Sequence, residues 1–383
     1  MPPQGGWQPP QPPGPPPNHG QPYGQPITPS GYNPEQPPPG WHQGPWQPQP
    51  GPPPQKCNSL KWLLIAVAVL LVIGISVGAT LIFTRGDGGT TTIPTSGVAS
   101  DIASANDTGP VGIITDEPTC DAYLPLSNSL SDIEAKAWGA ERATLGPASE
   151  WTAQQRSQVT EVATAMRNAA DQAVPLAKQT PHRLVRELYE QFIAFGRAYA
   201  DSVQDYSPHD DGLASANVNA GSAIVGICNT ITYGAASRSV GLEPAAPPTQ
   251  TATIGDPGSP TRFVTESSST CTEWTQRLDK YTADTPEWQN RDTSVPASNW
   301  TPEQRAIEQS TRPLLTAYAG DIERAGRESR NPVLEDFAVA ASLYTKAYLS
   351  VGDNYNGAAD GWLNYVAFRL ANLVSGACRA VAA

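Results

Sequence analysis

The C-terminal part of this 383-residue chain is written twice. Cys120, Trp151, Gln155-Arg156, Tyr199, Asp211-Gly212 and Cys228 recur in order as Cys271, Trp300, Gln304-Arg305, Tyr348, Asp360-Gly361 and Cys378. Counted from each Trp, the Gln-Arg pair stands at +4 and +5, the Tyr at +48 and Asp-Gly at +60 and +61 in both copies. The two cysteines lie 108 and 107 residues apart. So many matched offsets indicate two homologous domains, and whatever one copy folds into the other must also fold into.

The pattern inside each copy is helical. Thr152-Ala-Gln-Gln and Thr301-Pro-Glu-Gln place a capping Thr three residues before a Gln, and the second adds Pro at the first helical position. Leu184, Leu188, Phe192, Phe195, Tyr199 and Val203 recur every three or four residues, the apolar stripe of an amphipathic helix. Leu334, Phe337, Ala341, Tyr344, Tyr348 and Val351 repeat it. Pro181 and Pro332 stand near the starts of these helices, where a missing backbone donor is harmless, whereas Pro175 and Pro313 predict a kink or break in the preceding helix.

One helix after each first Cys, one after each Trp-Thr, the Tyr-bearing helix and one from Asp-Gly to the last Cys give four per copy. An up-down-up-down bundle of four returns its end to its beginning, so the two cysteines of a copy meet. The fold expected is an all-α ectodomain of tandem four-helix-bundle-like modules, clamped by Cys120–Cys228 and Cys271–Cys378. Each bond closes about 100 residues and contributes ~4–5 kcal/mol in the chain-entropy model.

The N-terminal part is of another kind. Residues 1–55 hold 22 Pro, 10 Gln and 9 Gly, too little apolar surface to offset the entropy of ordering. Residues 1–60 are therefore read as a disordered tail, which offers proline-rich stretches to partner grooves or serves as a spacer. Trp62 to Thr84 is a run of 23 residues without a charge, and at ~1.5 Å per residue a helix of that length spans the ~30 Å hydrocarbon layer. Residues 61–84 are expected to cross the membrane once. Gly74 and Gly78, with Ala66 and Leu70, share a face that would let two such helices pair, giving a homodimer.

Lys56 and Lys61 precede the run and Arg85 follows it with Asp87, so the tail is expected in the cytoplasm, and oxidised cysteines agree by requiring the repeats outside. Residues 85–118 and 232–268, rich in Gly, Thr, Ser and Pro, read as a flexible stalk and linker around modules at 119–231 and 269–383.

The sequence names no chemistry. Residues 86–383 carry 21 basic and 35 acidic side chains, a balance that argues against nucleic acid. The one Gly-x-Ser-x-Gly match, Gly74 to Gly78, falls inside the uncharged run, and no Ser-x-x-Lys pair or phosphate-binding glycine loop occurs. His209-Asp210-Asp211 is the best metal-ligand cluster, yet an Asp before an apolar helix reads as an N-cap, as does Asp360. Glu335-Asp336 reads as the solvated face of its helix. Trp151 and Trp300, kept in both copies, are candidates for partner contact, though a Trp just before a helix cap also packs as a hydrophobic staple. No catalytic residue, cofactor or metal is expected.

The proline-rich tail, single membrane run, Thr-rich stalk and cysteine-clamped, Ala-rich exterior resemble the proline-rich single-pass membrane proteins of mycobacteria and related actinobacteria. The resemblance covers mainly residues 1–118; it implies placement in the cell envelope and assigns no functional residue. The function expected is that of a non-enzymatic envelope protein whose modules bind a protein partner outside while the tail recruits proteins inside. The alternative is an extracytoplasmic sensor that signals through a dimerising membrane helix.

Overall fold

Both Thr-x-x-Gln sequences start a helix. The Thr152 and Thr301 hydroxyls accept the backbone N–H of Gln155 and Gln304, and each Gln side chain accepts the backbone N–H of its Thr. The computed structural model describes residues 101–239 and 241–382. The proline-rich tail, the run from Trp62 to Thr84 with its Ala66, Leu70, Gly74 and Gly78 face, and the stalk before residue 101 lie outside the described residues. No described helix is long and apolar enough to cross a membrane.

Eight long helices form the described body: α1 (Cys120–Glu134), α2 (Ala153–Gln179), α3 (Arg183–Ser202), α4 (Asp211–Thr232), α5 (Ser269–Asp284), α6 (Pro302–Glu328), α7 (Pro332–Val351) and α8 (Gly357–Arg379). There is no strand among the described residues. In the first repeat α1, α2, α3 and α4 pack in a closed ring, and α5, α6, α7 and α8 do the same in the second. The return of each fourth helix to the first brings the cysteines together. Cys120–Cys228 and Cys271–Cys378 are disulfides, with Cα atoms 5.6 and 5.3 Å apart.

The apolar stripes face inward as the spacing requires. Leu184, Leu188, Phe192, Phe195 and Tyr199 are buried on α3, as are Leu334, Phe337, Ala341, Tyr344 and Tyr348 on α7. Each large apolar side chain removed from water contributes roughly 1.5–3 kcal/mol. Pro175 and Pro313 break nothing: α2 and α6 run on through them. The carbonyls that lose a donor belong to Asp171 and Gln309, both on exposed faces where water serves them.

The two repeats are fused by α4 and α8, which run antiparallel. Gly212, at the start of α4, lies so close to the end of α8 that an added Cβ would stand 2.3 Å from the Ala380 nitrogen; at Gly376 the same atom would meet Ala216 at 2.7 Å. Arg369 donates to the Asn219 side chain across this seam and Arg379 to the Ser215 hydroxyl.

Two segments read as flexible from their composition are held down where they are described. In the linker, Phe263 wedges its ring edge-on between Phe195 of the first repeat and Phe337 of the second, at 6.0 and 5.4 Å. Its backbone is tied to Gln191 and Asn331, and Thr249 bonds to Glu335. In the stalk, Ile102, Val111 and Ile114 are buried. Arg183 donates to the Asp107 and Gly109 carbonyls, and Arg186 donates to the Ser104 hydroxyl. Gly, Ser and Thr allow flexibility but do not enforce it, and a few apolar anchors with long arginines suffice to order the backbone between them.

Candidate functional site

A shared device holds the entry to the second helix of each repeat. The Trp151 indole N–H donates to the Gly146 carbonyl, and that of Trp300 to the Val295 carbonyl. Arg156 and Arg305, four residues into the following helix, lie over those rings at 5.5 and 6.0 Å. Arg305 donates back to the Ala297 carbonyl, as Arg156 does to Ala148. The staple anticipated at these tryptophans is therefore closed by a guanidinium instead of an apolar side chain. Trp151 is buried against Tyr206; Trp300, stacked on Tyr355 at 5.6 Å, keeps one edge open.

Beneath that device each repeat buries an arginine beside a Trp and a Tyr. In the first, Arg142 lies over Trp138, whose N–H donates to the Tyr199 hydroxyl, and pairs with Asp211 at 2.5 Å. In the second, Arg291 lies over Trp288 at 4.0 Å, donates to the Tyr348 hydroxyl and pairs with Glu308 at 2.6 Å. Burial pushes the Tyr348 hydroxyl well above its ordinary range, so it stays a neutral donor to Glu308. Asp211 and Asp360 are thus not caps. Asn356 caps α8, and Asp210 stands at the cap position of α4 with its carboxylate accepting from Ser207; Asp211 serves Arg142, and Asp360 pairs with Arg238 beyond the first repeat and accepts the Asn356 backbone N–H. With Asp210 and Asp211 so engaged, the His209-Asp210-Asp211 cluster does not converge on one point; no group of three or more metal-ligating side chains occurs among the described residues.

Glu335 and Asp336 are not a solvated face either; both are buried. Glu335 pairs with Arg327 at 3.1 Å and Asp336 with Arg183 of the first repeat at 2.6 Å. Glu187 holds the place in the first repeat that Asp336 holds in the second and is also fully buried. Burial, then the Asp336 charge, raise its pKa well above the usual carboxylate range, with Arg186 and Arg183 pulling the other way. Helical periodicity does not reveal this, because it locates a face and says nothing of which second helix covers it.

The repeats differ most where a cavity of about 280 Å³ opens in the second, between α6, α7 and the turn after α7. Trp300, Arg305, Glu308, Arg312, Tyr348, Asp353 and Tyr355 are among its walls. In the first repeat the places of Glu308, Arg312 and Gly352 are taken by Val159, Ala163 and Val203, all buried. Val203 continues the helical backbone, whereas Gly352 turns away at φ 54° and ψ −128°, a region that glycine alone enters readily. Beside that turn Trp300 is partly exposed, while Tyr348 and Tyr355 stay buried behind it. Trp300, singled out from the sequence for partner contact, lies on the cavity rim, whereas Trp151 is buried.

Comparison with known proteins gives two findings. Residues 102–383 match the sequence model of a family described as mycobacterial ESX-1 associated protein. An uncharacterized protein of Mycolicibacterium smegmatis (strain MKD8) is 41% identical over 371 residues, covering 93% of this chain and 97% of that protein. No solved structure matches.

Proposed function

We propose, for a chain that belongs to the family of mycobacterial ESX-1 associated proteins, a non-enzymatic role in the cell envelope: its paired helical repeats bind a protein partner of that secretion system. The observation that carries the reading is the extent of the match, residues 102–383, which covers the end of the stalk, the linker and both repeats. The association in the family's description is thus assigned to the folded body and not to the proline-rich tail. Arg142, Arg291, Glu308, Glu335 and Asp336 are engaged in ion pairs and hydrogen bonds within the fold, which supports binding over catalysis.

The finer placement follows from the charges around the uncharged run. With Lys56 and Lys61 before it and two disulfides after it, the tail lies inside, one helix spans the membrane through residues 61–84, and the repeats lie outside. The tail recruits cytoplasmic proteins. A sensor role is the second reading, and the cavity of the second repeat favours it, since a sensor needs a place for a ligand.

The test is cross-linking of the tagged full-length chain in living mycobacteria, followed by quantitative mass spectrometry. ESX-1 components enriched over a tagged, unrelated envelope protein are the expected outcome. Their absence from the cross-linked fraction, with the chain present at normal abundance, would discard the role. A cysteine-labelling experiment with a membrane-impermeant maleimide, on chains given one cysteine in the tail or one in the linker, reads the topology directly.

A further inference from the structure

The first repeat is an internal reference for the second. Where the second helices share bounds, capping box and the Trp-Arg device, five differences along the cavity wall stand out: Val159 becomes Glu308, Thr160 becomes Gln309, Ala163 becomes Arg312, Val203 becomes Gly352 and Gln204 becomes Asp353. Together they convert a closed apolar patch into an open, charged cavity.

The charges in that cavity are not equivalent. Glu308 is committed to Arg291, Tyr348 and Trp288. Arg305 is held by the Ala297 carbonyl and faces Asp353 at 4.0 Å. Arg312 donates one N–H to the Leu349 carbonyl at the end of α7 and has no acidic partner, so its remaining donors face the solvent. It alone gives the site an unbalanced charge, and it is positive in a chain whose net charge is −12. The other walls are the rings of Trp300, Tyr348 and Tyr355.

Size narrows the occupant. Small-molecule sites run from roughly 300 to 1,000 Å³, and this one, at about 280 Å³, lies at the small end, a size that suits one large side chain. Aromatic anchors seated in such hollows carry much of the energy of protein recognition.

We propose that the cavity of the second repeat seats an aromatic side chain of a partner protein, with a carboxylate next to it bound by Arg312. The inference rests on the partner-binding role above, and it names the chemistry that the partner must present. The ring of the partner lies against the open edge of Trp300, which the buried Tyr355 backs from the other side. A carboxylate on Arg312 gains a charge-assisted pair at the cavity mouth.

The test uses the full-length protein in detergent micelles and two probes that differ only in charge, 3-phenylpropanoate and its neutral amide, read by saturation-transfer NMR and Trp fluorescence. Binding of the acid about tenfold tighter than the amide is expected, and Arg312→Ala, which restores the residue of the first repeat at an exposed position, is expected to erase that difference while leaving the thermal midpoint unchanged. Arg312→Lys should keep part of it. Gly352→Val, which copies the closed turn, is expected to weaken both probes. Equal binding of acid and amide, no binding of either, or an acid affinity indifferent to Arg312→Ala each overturns the proposal. The cross-linking experiment separates the two readings. A chain that binds the acid through Arg312 but enriches no ESX-1 component keeps this site and loses the role, and one that enriches those components without binding the acid does the reverse.

Discussion

The two repeats share a frame and diverge in what completes it. In both, a buried arginine lies on a Trp, beside a Tyr from the third helix, under a loop held by a second Trp-Arg pair. The acid that neutralises it comes from different places. The first repeat uses Asp211 at the start of its fourth helix, and the second uses Glu308 from its second helix. Asp360, the counterpart of Asp211, is thereby released, and it pairs instead with Arg238, just past the first repeat. Duplication kept the cation and let the anion move, because a buried charge requires a partner but not a partner from one fixed position. The freed acid then became part of the connection between the copies.

The largest effect that can break this comparison is loss of the cation. Arg142→Met and Arg291→Met each strand a buried carboxylate and are expected to cost ~3–5 kcal/mol in urea unfolding. Arg291→Met, which also removes a donor from Tyr348, should be the more damaging. Tolerance of either variant would show that the frame does not depend on its cation. Next come the clamps. Loops of 108 and 107 residues predict nearly equal losses of ~2–5 kcal/mol when Cys120 and Cys228, or Cys271 and Cys378, are changed in pairs to Ser. A clear inequality would mean that one repeat is held by packing and the other by its bond.

The smallest effect concerns an acid that only the first repeat buries. The Glu134 carboxyl is pushed up to about 8 by burial, with Arg142 pulling the other way, and one of its oxygens has no partner. Its folded pKa lies above the unfolded value of roughly 4.3, so the folded state keeps a proton that the unfolded chain gives up. The stability it contributes is full below that unfolded value and is lost as the pH rises to about 8. Glu134→Gln is therefore expected to melt with the parent at pH 4 and a few degrees above it at pH 8, measured by calorimetry at both values. Equal midpoints at pH 8 would show that Glu134 ionises freely in the fold.

Much of the architecture was legible because it depends on spacing. The Thr and Gln of each box are local to one turn, the stripe from Leu184 to Tyr199 fixes a buried face, and equal cysteine intervals with an even number of helices bring thiols together. The errors came where neighbours in space are far apart in sequence. Glu335 and Asp336 were read as solvated because Thr249 and Arg183, which cover them, lie 86 and 153 residues away. Residues 232–268 read as a tether, since nothing in their composition reveals that Phe263 enters a slot between two repeats. Asp211 and Asp360 looked like caps because capping is the common local use of such a residue. Of the cavity, the sequence marked Trp300 alone.

The sequence by itself determined the duplication, the helices with their starts and inward faces, and the pairing of the cysteines. All of these follow from periodicity and offset along one chain. Only the tertiary structure decided that the repeats fuse through α4 and α8, which acid neutralises each buried arginine, and that the second repeat is open where the first is closed. Those outcomes depend on how close two helices approach and on the direction in which the chain leaves Gly352. Close approach and chain direction are properties of the packed body, and no single stretch of sequence carries them.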